Sequence, residues 1–381
     1  MAIIKVGKIR SLTEIEQVIS EIESASDDDR FVFSVDSLIA RHGPMYDASR
    51  LQLVVTLARH RLQSNYLDVH PKSSRDSVLE GLCSYSPGIA AIRLSRGIRI
   101  DKIEVDRREA LSAATEKMQA TDAEKYSKVI QGRSLDLICV SGSKVQYLRQ
   151  LFIAAGIVKE SEDMKKTMRD LVGFVGQRSK DKIPNSLVNA LGVFSSELMQ
   201  NTQEHAVTNH AGKPYIGHVE GMIFGWTRYT ADLFAKDFSG NSSLQDYWAI
   251  EAGKTENGVT SLRAFEVSYF DSGPGLVSRF KSTPITEMTI EKEREYFLEC
   301  LKHKATSKHE DAAGEGLPLV LGELKKVGGL IRIRSGRLSM FNVFKQGGIE
   351  RNIFNFEDWS DSPLAAVEGA VISIIVPLRR E

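Results

Sequence analysis

Residues 264–275 read AFEVSYFDSGPG, and this stretch decides the interpretation of the C-terminal half of the chain. Its alternation of apolar and polar residues predicts a β-strand that ends at Asp271. Gly273 and Gly275 then allow the backbone to turn tightly and to approach a ligand closely. The same letters also fit an ordinary β-turn, because Asp-Ser-Gly and Pro-Gly are both turn signals. If a pocket opens at the strand end, the Asp271 carboxylate points into it.

A second polar pair lies upstream, in an apolar helix predicted over SLVNALGVFSSELMQNTQEHA. Glu197 and Asn201 are four residues apart, so their side chains project from the same helix face. A carboxylate beside a carboxamide suits a general base next to a metal ligand. Taken alone, the pair also fits a solvent-exposed helix face.

A third pattern, Gly314-Glu315-Gly316-Leu317, comes directly before a helix predicted over LPLVLGELKKVGG. Glycines at a helix N-terminus expose backbone N–H groups, which together with the helix dipole favour phosphate. The alternative is a loop-to-helix junction at which glycine only relieves crowding.

In this order, the three patterns resemble the N-box, G1 box and G2 box of the GHKL ATPases, the Bergerat-fold or histidine-kinase-like superfamily. The segment ELMQNTQEHA is similar to a full N-box, and the resemblance covers about residues 185–381. It implies an α+β protein with a C-terminal Bergerat-type α/β sandwich, a mixed sheet with helices on one face. The strand pattern itself allows a mixed or an antiparallel sheet. We expect a small α/β domain over 1–140, an ATP-binding domain over 141–381, and an insertion near 228–260.

The resemblance also implies a role for each box residue. Glu197 would orient or deprotonate the attacking water, and Asn201 would coordinate Mg²⁺. Asp271 would accept a hydrogen bond from the adenine amino group, and Gly273 and Gly275 would let the chain pass close to the nucleotide. Further ATP contacts are expected from Ser307, Lys308, Gly314, Gly316 and Leu317. ATP and Mg²⁺ are therefore the expected ligands.

Residues between the G1 and G2 boxes are expected to form a nucleotide-gated lid. Its Lys304 and Lys308 are candidate γ-phosphate contacts or, equally, solvated charges. The G2 box departs from the family pattern at Pro318, which the first turn of a helix tolerates. We interpret His205 as finishing its helix and not as catalytic.

The N-terminal region carries a weaker resemblance, to STAS domains over about residues 30–100. Asp47-Ala48-Ser49-Arg50-Leu51 resembles the STAS helix start, where a serine is phosphorylated by a GHKL-type serine kinase. Arg50 stands where that motif has glycine. Alternatively, Asp47 and Ser49 are the N-cap residues of the helix.

Composition excludes several classes of protein. The chain has 381 residues with 50 Lys+Arg and 50 Asp+Glu, so its net charge gives no indication of a nucleic-acid partner. Three scattered cysteines, without a CxxC pair, favour a reducing compartment over a disulfide framework. Neither a signal peptide nor a membrane span is predicted. We therefore expect a cytoplasmic protein.

These observations predict a Mg²⁺-dependent ATPase that switches a lid or a dimer and acts through a homodimer or a partner protein. Two alternatives stay open: an anti-sigma-like protein serine kinase, and an ATP-dependent interaction module without hydrolysis. A sensor histidine kinase is not expected, because the candidate acceptor His60 is followed by Arg61 and not by an acidic residue.

Overall fold

The computed structural model describes residues 2–62, 65–71, 73–143, 145–176, 183–254, 258–302, 315–348 and 352–379. Its strands are β1 (Ile3–Val6), β2 (Arg30–Ser34), β3 (Tyr66–His70), β4 (Gly97–Ile100), β5 (Ile103–Asp106), β6 (Ser134–Val140), β7 (Phe152–Ala154), β8 (Ile157–Val158), β9 (Val219–Thr230), β10 (Gly253–Lys254), β11 (Thr260–Asp271), β12 (Gly329–Gly336), β13 (Leu338–Phe344), β14 (Glu357–Asp358) and β15 (Val367–Pro377).

The α-helices are α1 (Leu12–Ser24), α2 (Val35–Ile39), α3 (Pro44–Leu57), α4 (Arg75–Cys83), α5 (Ser86–Leu94), α6 (Arg107–Ala110), α7 (Ala114–Asp122), α8 (Tyr126–Val129), α9 (Ser161–Gly176), α10 (Asn185–Asn201), α11 (Ala231–Asp237), α12 (Ser242–Glu251), α13 (Leu276–Lys281), α14 (Ile290–Lys302) and α15 (Gly316–Val327). Two π-helical turns, Ala58–Leu62 and Thr202–Ala206, continue α3 and α10. The α+β class is confirmed.

The N-terminal region builds a mixed sheet in the order β1-β2-β3-β4-β5. Strands β1 to β4 are parallel, and β5 is antiparallel to β4. Helices separate the parallel strands along the chain, because a parallel pair requires a crossover connection.

The second sheet is larger, with the order β14-β13-β12-β15-β11-β9-β6 and β10 on the side of β11. All of its described pairs are antiparallel, one of the two arrangements that the strand pattern allowed, and so this sheet is not the mixed sheet that the resemblance implied. Strand β6 lies before the expected boundary at residue 140, yet it pairs with β9. The division into 1–140 and 141–381 stays a prediction, and this strand joins the two parts in one sheet.

Alternating residues of β11 face opposite sides of this sheet. Phe265, Val267 and Tyr269 join the core formed with α9, α10 and α15. Ala264 and Phe270 join the other core, on the side of the N-terminal region. By the same alternation, Asp271 emerges on the side of α10.

Helix α3 lies between the two sheets, and all of its residues are buried. It packs against β15, β11 and β9 on one side and against α1 and α5 on the other. The helix begins at Pro44 after Gly43, whose φ is 120°, so the prediction that Asp47 or Ser49 caps it is wrong. Asp47 is instead buried in an ion pair with Arg50.

The expected insertion near 228–260 contains α11, which packs against α1 of the N-terminal region, and α12, which packs against β13. Thr13 of α1 donates its backbone N–H to Asp237 of α11, at 3.0 Å. Phe234 stacks on Trp248 with ring centroids 4.5 Å apart, which joins the two helices. Among the described residues, no helix is both long enough and apolar enough to cross a bilayer.

Candidate functional site

Asn201 of the N-box and Asp271 of the G1 box line the same open pocket, between α10 and the end of β11. The remaining lining residues are Leu198, Met199, Thr202, Tyr269, Phe270, Leu276, Arg279, Ala370 and Ile372. The pocket is thus mostly apolar with a few convergent polar groups, as in small-molecule sites generally.

Asp271 provides a buried carboxylate among the residues that line this pocket. Burial raises its pKa, while the charge of Arg279 and the backbone N–H groups of Gly273 and Ala370 act in the opposite direction. The Gly273 N–H donates to Asp271 Oδ1 at 2.8 Å. One carboxylate oxygen is therefore held by the G1 turn, which fixes the direction in which the other can accept a hydrogen bond.

The two G1 glycines are required by close packing within the protein. A Cβ on Gly273 would lie 2.6 Å from the Cβ of Ala206, in the π-helical turn that follows the N-box. Gly275 has a φ of +86°, and a Cβ there would lie 2.9 Å from the hydroxyl of Ser335. The turn is therefore pressed against both α10 and β12, which holds the strand end of Asp271 in place.

Asn201 is the last residue of α10, and its Oδ1 is buried without a hydrogen-bond partner among the described residues. A buried carbonyl oxygen without a partner is costly unless a ligand completes it. Side-chain carbonyl oxygens are ligands that Mg²⁺ accepts. The described residues hold no group of three or more His, Cys, Asp or Glu that could bind a metal.

Glu197 lies one helical turn before Asn201 and reaches the start of α15. Its Oε1 accepts the backbone N–H of Glu315 at 2.8 Å and that of Gly316 at 2.9 Å. A carboxylate is stabilised there by unpaired N–H groups and by the positive end of the helix dipole. The presumed base thus occupies the N–H group of Gly316 that the sequence assigns to phosphate.

Close contact between α10 and α15 explains why Gly316 must be glycine. A Cβ at Gly316 would lie 2.7 Å from the Cα of Phe194, one turn before Glu197. Leu317 is half-buried against the core, and Pro318 is accommodated in the first turn of α15. The lid residues Lys304, Ser307 and Lys308, and Gly314 of the G2 box, lie outside the described residues.

A second buried carboxylate, Glu220 on β9, lies directly opposite Asp271 in the β11–β9 register. Gln203 donates to it, and His218 Nε2 is 3.7 Å from its Oε1. Burial raises the pKa of Glu220, and the charge of Asp271 raises it further. Burial raises the pKa of both carboxyl groups, and their proximity disfavours the ionisation of both at once.

Sequence reasoning did not single out three residues that line this pocket: Tyr269, Thr202 and Arg279. Tyr269 lies two residues before Asp271 and therefore on the same strand face, and Thr202 follows Asn201 directly. Both signals were available in the sequence. Arg279 comes from α13, in the segment expected to be a lid, and its position required the three-dimensional structure.

Ser49, the serine of the STAS-like motif, is buried against the second sheet and receives a hydrogen bond from Arg332 Nη1 at 3.3 Å. His205 lies in the π-helical turn with its Nε2 3.8 Å from Glu204.

No family model, no curated protein and no solved structure matches this chain.

Proposed function

We propose that this protein binds ATP with Mg²⁺ in the pocket between α10 and β11 and hydrolyses it. The observation that carries the proposal is one pocket lined by the unpartnered oxygen of Asn201 and the buried carboxylate of Asp271. These residues are 70 positions apart in the chain, and the resemblance to GHKL ATPases implies that they bind the two ends of one nucleotide.

The purine would enter beside Asp271. Apolar side chains such as Met199, Leu276 and Ile372 provide surface for a flat ring, and Asp271 is the acceptor for its amino group. The Gly273 N–H holds the second carboxylate oxygen, so this acceptor is preorganised. Guanine presents a carbonyl where adenine presents an amino group, and a carboxylate would disfavour it.

The phosphates would extend toward the start of α15. The N–H groups of Glu315 and Gly316 point at this position, and the helix dipole favours negative charge there. Mg²⁺, when bound, neutralises phosphate charge and assists the departure of the leaving group. Asn201 would hold it through Oδ1.

Glu197 would then change partners. Two anions cannot share the same N–H groups, so phosphate binding displaces its carboxylate from Gly316. On release, Glu197 is a carboxylate next to the terminal phosphate and can orient or deprotonate a water. This exchange couples nucleotide binding to the position of α15, which directly follows the proposed lid, and a homodimer or partner protein would detect that movement. A cytoplasmic location fits both the supply of ATP and three free cysteines.

The test combines calorimetry with phosphate release. Wild-type protein should bind a non-hydrolysable ATP analogue with Mg²⁺ and should release phosphate from ATP. Asp271→Ala leaves a purine donor unpaired, a loss of about 1–3 kcal/mol, or roughly five- to 150-fold in affinity. Asp246→Asn on the exposed part of α12 is the matched control and should behave as wild type.

Different outcomes separate the alternatives. Normal affinity in Asp271→Ala would refute the nucleotide assignment. Tight wild-type binding without phosphate release, alone or with partners, would select the interaction module. Acid-stable label on serine after incubation with labelled ATP would select the serine kinase, although Ser49 is buried in this structure.

A further inference from the structure

We propose that Arg59, in the N-terminal region, is a positioning residue of the nucleotide site and orients Asp271 through the peptide group that follows it. The inference rests on the proposed function. It means that ATP affinity and the docking of the N-terminal region against the G1 turn are coupled.

Arg59 holds the carbonyl oxygen of Ser272, the second residue of the G1 box. Its Nε lies 3.2 Å and its Nη2 2.7 Å from that oxygen. The guanidinium also stacks on Tyr215, with its central carbon 3.5 Å from the ring centroid. A fork of two donors together with a stacked ring fixes an arginine in one orientation.

The carbonyl of Ser272 and the N–H of Gly273 belong to the same planar peptide group. Arg59 binds its oxygen, and its N–H donates to Asp271 Oδ1 at 2.8 Å. Because a trans peptide points its C=O and N–H in opposite directions, fixing the oxygen fixes the direction of the N–H. The positive charge also polarises the peptide and strengthens the bond on its far side.

A second contact from the same helix reaches the next peptide group of the G1 turn indirectly, through Gly369. Gln52 of α3 donates to the carbonyl of Gly369 at 3.3 Å, and the Gly369 N–H donates to the carbonyl of Gly273 at 2.7 Å. Helix α3 runs directly into the π-helical turn Ala58–Leu62 that carries Arg59. π-Helical turns are rare in proteins, and those that occur often lie at functional sites. One continuous helix therefore contacts the G1 turn directly through Arg59 and indirectly, by way of Gly369, through Gln52.

The geometry distinguishes positioning from general structural support. If Arg59 orients Asp271, its loss should weaken binding of the purine that Asp271 recognises more than binding of one it does not. A purely structural role would weaken ATP and GTP by the same factor. Because Asp271 is still present in the Arg59 variants, a change in the ATP-to-GTP preference reports a change in the orientation of its carboxylate.

The experiment measures affinities of ATP and GTP analogues with Mg²⁺ for wild type, Arg59→Ala, Arg59→Lys and Arg108→Ala. Arg108 is exposed on α6 and is the matched control. We expect Arg59→Ala to weaken ATP binding about tenfold, equivalent to about 1.4 kcal/mol, and to lower the ATP-to-GTP preference. Arg59→Lys keeps the charge without the fork and should lie between Arg59→Ala and wild type; it also carries the test if Arg59→Ala does not fold.

Unchanged ATP affinity and preference in both Arg59 variants would overturn the inference, as would equal losses for ATP and GTP. These results leave the proposed function intact if wild type binds ATP. Failure of the wild type to bind ATP would refute the proposed function, and the inference with it.

Discussion

Replacing Glu197 by alanine should tighten ATP binding while abolishing hydrolysis. In the structure, Glu197 accepts two backbone N–H bonds, from Glu315 at 2.8 Å and from Gly316 at 2.9 Å. Both donors are needed for phosphate in the proposed complex. The carboxylate therefore competes with ATP for its own binding site, and the competition ends when the side chain is removed.

The size of the effect follows from the two hydrogen bonds. Glu315 is exposed and Gly316 is buried, so about 0.5–1 kcal/mol for each bond is a suitable value. Together they favour the self-occupied state by about 1–2 kcal/mol, which leaves roughly 3–15% of the protein competent to bind. Removing Glu197 should thus strengthen ATP binding about 5- to 30-fold. The variant should also lose about 1–2 kcal/mol of stability without ATP, because the start of α15 loses its cap.

Calorimetric titration of Mg²⁺ with a non-hydrolysable ATP analogue measures the affinity, and phosphate release measures turnover. Glu80→Ala, at an exposed position on α4, is the control and should change neither quantity. Glu197→Gln should give an intermediate affinity, since an amide oxygen still accepts hydrogen bonds but carries no charge. Unchanged or weaker affinity in Glu197→Ala would show that its carboxylate does not compete with phosphate. Retained hydrolysis would exclude Glu197 as the base.

Two further substitutions test separate parts of the structure. Asn201→Ala should make ATP-analogue affinity the same with Mg²⁺ and with a chelator; a persisting Mg²⁺ dependence would remove Asn201 as the metal ligand. Burial raises the pKa of Glu266, between α3 and the second sheet, from 4.5 to about 7. The protonated form therefore stabilises the fold fully below about pH 4.5, and this contribution is lost as the pH rises through about 7. In denaturant unfolding, Glu266→Gln should consequently be more stable than wild type by up to about 3 kcal/mol near pH 8 and little different from it near pH 4.5. If the variant and wild type were equally stable at pH 8 as well, Glu266 would not be a buried carboxyl with a raised pKa.

Local sequence patterns were sufficient to predict where the polar residues of the candidate site lie on their strand and helix. Asp271 was placed at a strand end by alternation, and Asn201 was placed on one helix face with Glu197 by a spacing of four. Both are consequences of backbone geometry, which a short stretch of sequence determines. Their meeting in one pocket was implied by the order of the three boxes, and the structure places both at that pocket.

Contacts between distant segments could not be predicted in this way. Arg59 and Ser272 are 213 residues apart, and neither carries a local signal for the other. Asp47 and Ser49 matched the chemistry of an N-cap, but the observed N-cap, Gly43, lies four residues before Asp47 and six before Ser49, and Pro44 is the first residue of the helix. Burial of α3 on all sides then places Asp47 in an ion pair, so tertiary packing overrode the local preference.

The most direct test of the central claim is a crystal structure of the protein with a non-hydrolysable ATP analogue and Mg²⁺. The account predicts the adenine amino group within hydrogen-bond distance of Asp271 and Mg²⁺ in contact with Asn201 Oδ1. It also predicts phosphate oxygens on the N–H groups of Glu315 and Gly316, with Glu197 displaced from them. An analogue bound elsewhere, or bound in this pocket while Glu197 still accepts both N–H groups, would contradict it.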